Sequence, residues 1–427
     1  MKAPFRALLF LLGLSLIFPG CGKGPGSSGA QEVKVAFWGS PEEVDIITHS
    51  IEDWQKAHPE IKIIFEHTPY TGYDSKILTR IAGGAAPDII ATEVNYFVTF
   101  ASKEVLENLS PYVEKDPEFG QEEFFPEILG RFTRDGKLYA VPRDVAPFAC
   151  VFYNKQLFDQ AGIPYPTDDW TWDDLLRIAR QLTKKDTSGR TVQYGFYGWA
   201  WQNFAYGNGG GLVDDPKKPT RTLISDPKTV AGLQFYSDLA NLYQVMPTPT
   251  ALANLGMGVD TMFASGRLAM FLSGVWETPL LRNYKFGWDV AMFPKNREGL
   301  RAFGTGGSGY AILRSSKHKD AAWEVIKALT GEAGQAQLAE RGLAQPARIK
   351  VAQSEHWAGH PAPPANKAML NEAVRYIVFD PFHPRWREIE AKILLPAFEL
   401  VFTGKKTAEE TAQELEPKIN AVLQGKA

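Results

Sequence analysis

TMFASGRLAMFLSGVWE, residues 261–277, is the stretch on which the fold reading turns. Met262 and Phe263 open it as a short helical turn, and Gly266 is placed to stop that turn after Ser265. Arg267 then leads into LAMFL, residues 268–272, which carry no polar side chain. A brief apolar run between glycines suits a strand buried on both faces, as in a parallel sheet. Ser273 and Gly274 end the run, and Trp276 and Glu277 follow at once. In open α/β sheets ligands sit beyond the carboxyl ends of strands, which makes a flat aromatic with an acid beside it a candidate site wall. A Trp packed between layers would give the same pattern, and both readings stand at this point.

The stretch resembles a segment of the family 1 extracellular solute-binding proteins, the sugar-type receptors of bacterial ABC importers. In that family F-x-x-G-x-x-A-M, a few apolar residues and then G-x-W recur where the chain passes from one lobe to the other. Here the pattern is carried by Phe263, Gly266, Ala269, Met270, Gly274 and Trp276.

The amino terminus speaks to compartment. Lys2 and Arg6 form a short positive region, residues 7–18 are apolar, and Pro19-Gly20 precede Cys21. The apolar core is too short for a permanent bilayer span and reads as a signal peptide over residues 1–20. A cysteine after a small residue resembles a lipobox, although Phe18 stands where Leu is usual; Cys21 is therefore expected to be lipidated. GKGPGSSGAQ then makes residues 21–31 a lipidated flexible tether. The only other cysteine, Cys150, lies in an apolar run and reads as a core residue without a disulfide partner.

Removing residues 1–20 takes away Lys2 and Arg6 and moves the formal charge from −3 to −5. A mildly acidic chain without basic clusters argues against nucleic acid as a partner. With 427 residues there is chain enough for two or three domains.

Along the chain, residues 33–38 (VKVAFW) read as a first strand, turned by Gly39. Ser40, Pro41 and Glu43 form a helix start with a capping box, and Val44, Ile47, Ile51 and Trp54 mark one face of a helix ending at His58-Pro59. A strand at 61–67, a helix at 74–81 and a strand at 88–92 complete a βαβαβ start. IAGGAAPDIIA, residues 81–91, resembles the family's A-x-G-x-x-P-D entry into a strand. The loops that follow the first and third strands bring Trp38, Gly39 and Ser40, and Glu93 and Asn95, to one side of a cleft, with Tyr70 and Tyr73 at its edge.

Residues 135–141 read as a hairpin strand leading into a crossing at Arg143. Residues 151–183 resemble the family most closely, through Y-N-K-x-L-F-x-x-A-G-I-P and then a helix capped by Thr171 with Asp174. Leu175, Ile178, Ala179 and Leu182 form its buried face, and Trp172 reads as packing. GFYGWAWQNFAYGNGGG, residues 195–211, offers Trp199, Trp201, Gln202 and Asn203 as ligand contacts. Two tryptophans two apart cannot share one helix face, so at most one is expected to meet ligand. Helices are expected at 225–243, 319–329, 386–403 and 407–423, and a strand at 286–293. FGTGGSGYAI, residues 303–312, contains G-x-G-x-x-G, but it runs into a strand rather than a helix and is not a dinucleotide fingerprint. It reads as a glycine-rich loop carrying Gly306 and Gly307 close to the ligand. GLAQPAR, residues 342–348, resembles the family's last crossing and brings in Arg348. His356 and His360 have a metal-like spacing, but Gly359 and Pro361 argue against a helix, and no metal or cofactor is expected.

The resemblance covers nearly all of the chain after residue 20. It implies an α/β fold of the type II periplasmic-binding-protein kind, two lobes joined by a hinge with the ligand cleft between them. The expected division is residues 32–143 and 282–341 in the N-terminal lobe and 144–281 and 342–427 in the C-terminal lobe, with crossings near Arg143, at 276–281 and at 342–346. It further implies a monomeric, extracytoplasmic, membrane-anchored lipoprotein that is not an enzyme and that delivers a sugar or oligosaccharide to the permease subunits of an ABC importer. Trp38, Trp199 or Trp201, and Trp276 suit stacking on sugar rings; Glu93, Asn95, Asn203 and Glu277 suit hydroxyls. Two alternatives remain: an anionic ligand such as a glycerol phosphate derivative, held by Arg143 or Arg348, and a secreted glycosidase using Glu93 and Glu277.

Overall fold

Alternation of apolar residues from Val33 becomes the strand Gln31–Phe37 in the computed structural model, which describes residues 30–426. The expected signal peptide, the lipidation at Cys21 and the tether up to residue 29 lie outside the described residues. Gln31, expected in the tether, is already in the strand. This strand lies parallel to Ile61–His67 and to Ile89–Glu93. The sheet continues with antiparallel Ser308–Ile312 and then Val141–Pro142. Three parallel strands thus end side by side, at Phe37, His67 and Glu93.

Ser40 caps the helix Pro41–His49 with the expected capping box. The helix does not run on to His58. The Ser50 hydroxyl donates to the Ile47 carbonyl at 2.8 Å, a local bond that competes with continued helix, and Glu52–Ala57 starts afresh beyond Ile51. Ile46, Ile47 and Ile51 are buried, and Val44 and Trp54 pack half-buried against the same core.

Met270–Ser273 is buried along its whole length, as its composition requires. The sheet around it is mixed rather than parallel. Its order is Tyr197–Gly198, Met270–Ser273, Cys150–Asn154, Trp288–Met292, and Cys150–Asn154 runs antiparallel to both neighbours. Burial on both faces follows from packing rather than strand direction: the Phe152 and Phe271 rings stack at 4.7 Å across one face. The helix Trp172–Leu182, with its Thr171–Asp174 capping box, buries the four expected residues in the same core. Near the carboxyl end, Trp386–Ile389 passes into a wide π turn, Glu390–Leu394, before Leu395–Phe402. Pro396 lacks the N–H needed to continue the ladder, and the wide turn absorbs the lost bond.

Side-chain packing separates two hydrophobic cores. One draws on residues 33–145 and 310–347, the other mainly on residues 149–303 and 352–422. A third sheet spans the join, in the order Gln345–Pro346, Asp144–Pro147, Phe303–Gly306, Ile377–Val378. Arg143 adjoins this sheet and residues 342–346 reach into it, whereas the crossing expected at 276–281 has no part in it. Val275 and Leu281 belong to the second core, and Trp288–Met292 pairs with Cys150–Asn154, so the chain first returns at Phe303–Gly306. Residues 282–303, expected in the first unit, pack with the second, whereas Leu343, Ala344 and Ala347 pack with the first.

The glycine-rich stretch is two strands rather than a loop, separated by Gly307 at φ +115°. A side chain at 307 would meet Ile128 Cδ1 at 3.0 Å and the Asp144 carbonyl at 3.1 Å, so both conformation and space require glycine there.

Candidate functional site

The parallel strands of the first sheet deliver their following residues to one edge, and that edge faces the second core across a cavity of about 720 Å³. Trp38, Gly39 and Ser40 come from the first loop, Pro69 and Tyr70 from the second, Glu93 and Asn95 from the third. The opposite side carries Phe148, Trp199, Gln202 and Trp276. Between them lie residues of the crossing sheet, Ala146, Gly306 and Gly307 among them. A broader depression of about 1290 Å³ runs beside the helix Glu52–Ala57 and the helix Glu332–Glu340, away from these loops.

Aromatic rings form both sides of the cavity. Trp38 meets Tyr70 edge-on at 5.7 Å and Tyr73 at 5.0 Å. Across from it Phe148 is edge-on to Trp199 at 4.8 Å and to Trp276 at 6.0 Å. The Trp199 indole N–H donates to Ser273 Oγ at 3.3 Å, and the Ser273 hydroxyl donates to Glu277 Oε1 at 2.8 Å. This relay fixes the tilt of Trp199, which at 36% exposure is the most open of the cavity tryptophans.

Charged groups also line the cavity. Glu93 is 7% exposed, and its carboxylate accepts the Asn95 backbone N–H at 2.9 Å. Burial pushes this carboxyl up to about 8, with repulsion from Asp380 adding to it and the Asn95 N–H, Arg387 and Arg131 opposing. Burial also pushes Asp380 up to about 7, and neighbouring Glu390 adds to the effect. Arg387 pairs with Glu390 at 3.0 Å and sits 5.3 Å from the centre of the Tyr96 ring. Arg143 pairs with Asp144 at 2.5 Å, and Asp144 also accepts the Ser308 N–H at 2.9 Å and its hydroxyl at 2.7 Å.

Of the residues singled out in the sequence, Trp38, Gly39, Ser40, Tyr70, Glu93, Asn95, Arg143, Trp199, Gln202, Trp276, Gly306 and Gly307 line this cavity. Five do not. Trp201 is 8% exposed and packs edge-on against Phe398 at 4.8 Å. Asn203 is fully buried and joins two crossing segments, donating to the Phe148 carbonyl at 2.6 Å and accepting the Gly304 N–H at 2.9 Å. Glu277 turns to Ser273 instead of the cavity. Arg348 is 2% exposed, lies between the Phe119 and Phe124 rings, and donates to the carbonyls of Thr330 and Glu118. Tyr73, expected at the cleft edge, is fully buried and donates to the Ala36 carbonyl at 2.9 Å.

Sequence reasoning missed Phe148, Asp380, Arg387 and Glu390 in the lining. Phe148 sits one residue past a crossing strand, a position that could have flagged it. Arg387 and Glu390 come from the stretch read only as a helix at 386–403 and Asp380 from the residues just before it, and nothing local marks either as returning to the cleft. His356 lies 2.5 Å from Glu340, and the described residues hold no cluster of three or more metal-ligating side chains.

Two α/β cores joined by crossing strands, with an aromatic cavity between them, define a type II periplasmic-binding-protein architecture. The chain belongs to the bacterial extracellular solute-binding protein family, whose model matches residues 39–336. Membership places it outside the cytoplasm and among binding proteins. It is similar to an arabinooligosaccharide-binding protein of Bacillus subtilis, 26% identical over 76% of this chain and 75% of that one. A putative binding protein of Brucella abortus is 24% identical over 87% of this chain and 88% of its own. Among solved structures, an ABC substrate-binding protein of Listeria monocytogenes in complex with cycloalternan superposes with a TM-score of 0.82 at 26% identity, covering 92% of this chain and 99% of that one.

Proposed function

We propose that the protein is an extracytoplasmic receptor that captures a sugar or oligosaccharide between its two lobes and delivers it to an ABC-type importer. The observation that carries this reading is the pairing of aromatic faces across one cavity, Trp38 and Tyr70 on one side and Trp199 and Trp276 on the other. Sugar rings present apolar faces to such walls, and their hydroxyls find acceptors in Glu93 and Asn95. Relatives described as binding arabinooligosaccharide and cycloalternan support the same class of ligand. A ligand touching both sides binds the closed arrangement more tightly and shifts the population toward it. On this reading the lobes divide as the two cores do, with crossings at Asp144–Pro147, Phe303–Gly306 and Gln345–Pro346.

The anionic alternative loses its two arginines, since Arg348 is outside the cavity and Arg143 is committed to Asp144. The glycosidase alternative loses the pair it was built on, because Glu277 is hydrogen-bonded to Ser273 away from the lining that holds Glu93.

Titration calorimetry against neutral mono- and oligosaccharides and sugar phosphates tests the proposal. Tight binding of a saccharide without turnover, measured by chromatography of the recovered ligand, is the expected result. Preference for phosphates, or cleavage of the sugar, would overturn it. The reading also includes removal of residues 1–20 and lipidation of Cys21, which mass spectrometry of membrane-derived protein would detect as an acylated amino-terminal cysteine.

A further inference from the structure

The cavity holds more carboxyls than guanidiniums. Five carboxyls line it: Glu43, Glu93, Asp144, Asp380 and Glu390. Two guanidiniums line it, Arg143 and Arg387, and each is already held by a carboxylate, Asp144 and Glu390 respectively. Glu43 is occupied in part by the Ser40 N–H at 2.6 Å. Arg131 lies behind the wall against the Phe379 and Phe382 rings, and it is within electrostatic reach of both Glu93 and Asp380. Three guanidiniums serve five carboxyls, and no ion pair to Glu93 or Asp380 occurs among the described residues.

A second observation is the aromatic lining, because the faces of Trp and Tyr attract cations. Tyr70 lies close enough to Glu93 to feel its charge.

We infer that the saccharide taken up in this cleft carries a basic nitrogen, as an amino sugar or an amine-bearing oligosaccharide does, and that its ammonium sits between Glu93 and Asp380 beside Tyr70 and Trp38. The inference rests on the sugar-receptor reading and narrows it. A neutral sugar can hydrogen-bond these two carboxyls but gives them no charge to pair with on ionising, whereas an ammonium supplies three donors and that charge.

Proton exchange gives the inference its own readout. The groups facing Glu93 are Asp380, Arg131, Arg387, Tyr70 and Tyr96, and those facing Asp380 include Glu390 and Tyr206. Burial holds Glu93 largely protonated near neutral pH in the empty cleft and raises Asp380 as well. A cation entering between them favours their ionised forms, so binding releases protons to the buffer. A neutral ligand removes water without adding charge and releases none.

The test is calorimetry on the whole protein at pH 7 in two buffers of different ionisation enthalpy. The probes are glucosamine, galactosamine, mannosamine and the β-1,4 glucosamine dimer and trimer, each beside its N-acetylated and its hydroxyl counterpart. At least one amine is expected to bind tenfold or more tightly than both counterparts, with net proton release. Glu93→Gln should cut that preference at least tenfold and reduce the protons released. Asp380→Asn serves the same purpose if circular dichroism shows that Glu93→Gln does not fold. Counterparts that bind as tightly as every amine, or amine binding without proton release, overturn the inference while the sugar reading stands. If no member of any series binds, both readings fall.

Discussion

The indole of Trp276 lies across the Cα of Gly274, so that a Cβ built at 274 falls 1.8 Å from Cζ3 of the ring. Gly274 itself has φ −110° and ψ 172°, a backbone conformation that any residue adopts. The glycine of the G-x-W pattern is therefore needed for the ring above it, and not for the turn. Gly274→Ala should leave the fold intact and push the indole out of the cavity wall. Ligand affinity measured by calorimetry should fall by about tenfold or more, roughly 1.4 kcal/mol, with a melting temperature within a few degrees of the parent.

Ser273 is the shared link between Trp199 and Glu277. Ser273→Ala leaves an indole N–H without its acceptor and a half-buried carboxyl without its donor. Losing such partners costs about 1–3 kcal/mol, so the unfolding midpoint in urea should drop. Tryptophan emission should change as well, because Trp199 loses the bond that sets its tilt. Unaltered emission and stability would mean that the relay does not hold the ring.

Arg143 and Asp144 sit where the chain passes between the cores, and Asp144 is 3% exposed. Arg143→Ala strands a buried carboxylate that only Ser308 would still address. Breaking one half of a buried pair is costly, about 3–5 kcal/mol. Denaturant unfolding should show this loss directly. A variant as stable as the parent, with binding alone affected, would instead return Arg143 to the role of a ligand-binding cation.

The stability of the empty protein should depend on pH through Glu93. Its carboxyl titrates near 4.5 when unfolded and at about 8 when folded, so between these values the folded state holds a proton that the unfolded state has lost. Stability is then greatest below the lower value and declines as pH rises toward the upper one, where the decline ends. Melting temperatures across pH 5 to 9 for the parent and for Glu93→Gln isolate the effect. The difference between the two curves should shrink toward the acid end and widen toward pH 8.

Much of this arrangement is legible in local sequence. The capping boxes at Ser40 and Thr171, the buried face of Trp172–Leu182 and the buried strand Met270–Ser273 each follow from a few neighbouring side chains. Strand-end loops then place Trp38, Glu93 and Asn95 together, because parallel strands align their carboxyl ends. What local reading cannot supply is long-range pairing. Trp288–Met292 looks like any buried strand, and only its bonds to Cys150–Asn154 show which core it joins. Trp199 and Trp201 are alike on paper, yet the helix beginning at Gln202 turns one to the cavity and the other to Phe398. The same holds for Asp380, Arg387 and Glu390, whose return to the cleft depends on how the carboxyl-terminal helices dock.

Trp276 and Trp201 provide a paired test of the site, since one is half-exposed in the cavity and the other is 8% exposed in the second core. A sugar ring on the Trp276 face would bury apolar area from both partners. At about 25 cal/mol per Å², loss of on the order of 100 Å² of that contact costs roughly 2.5 kcal/mol. Binding should then weaken by close to two powers of ten, at about 1.4 kcal/mol per tenfold. Trp276→Ala should therefore greatly lower affinity with a modest loss of stability, because the ring is half-exposed and the Phe148 and Trp199 rings stand 6.0 and 6.3 Å from it. Trp201→Ala removes a ring packed against Phe398 and Phe402 and should cost about 3–5 kcal/mol of folding stability. Thermal unfolding and calorimetric affinity measured on both variants should show opposite signatures. If Trp276→Ala instead lowered the melting temperature sharply and left affinity unchanged, the indole would be a packing residue, and the stacking platform would pass to Trp38 or Trp199.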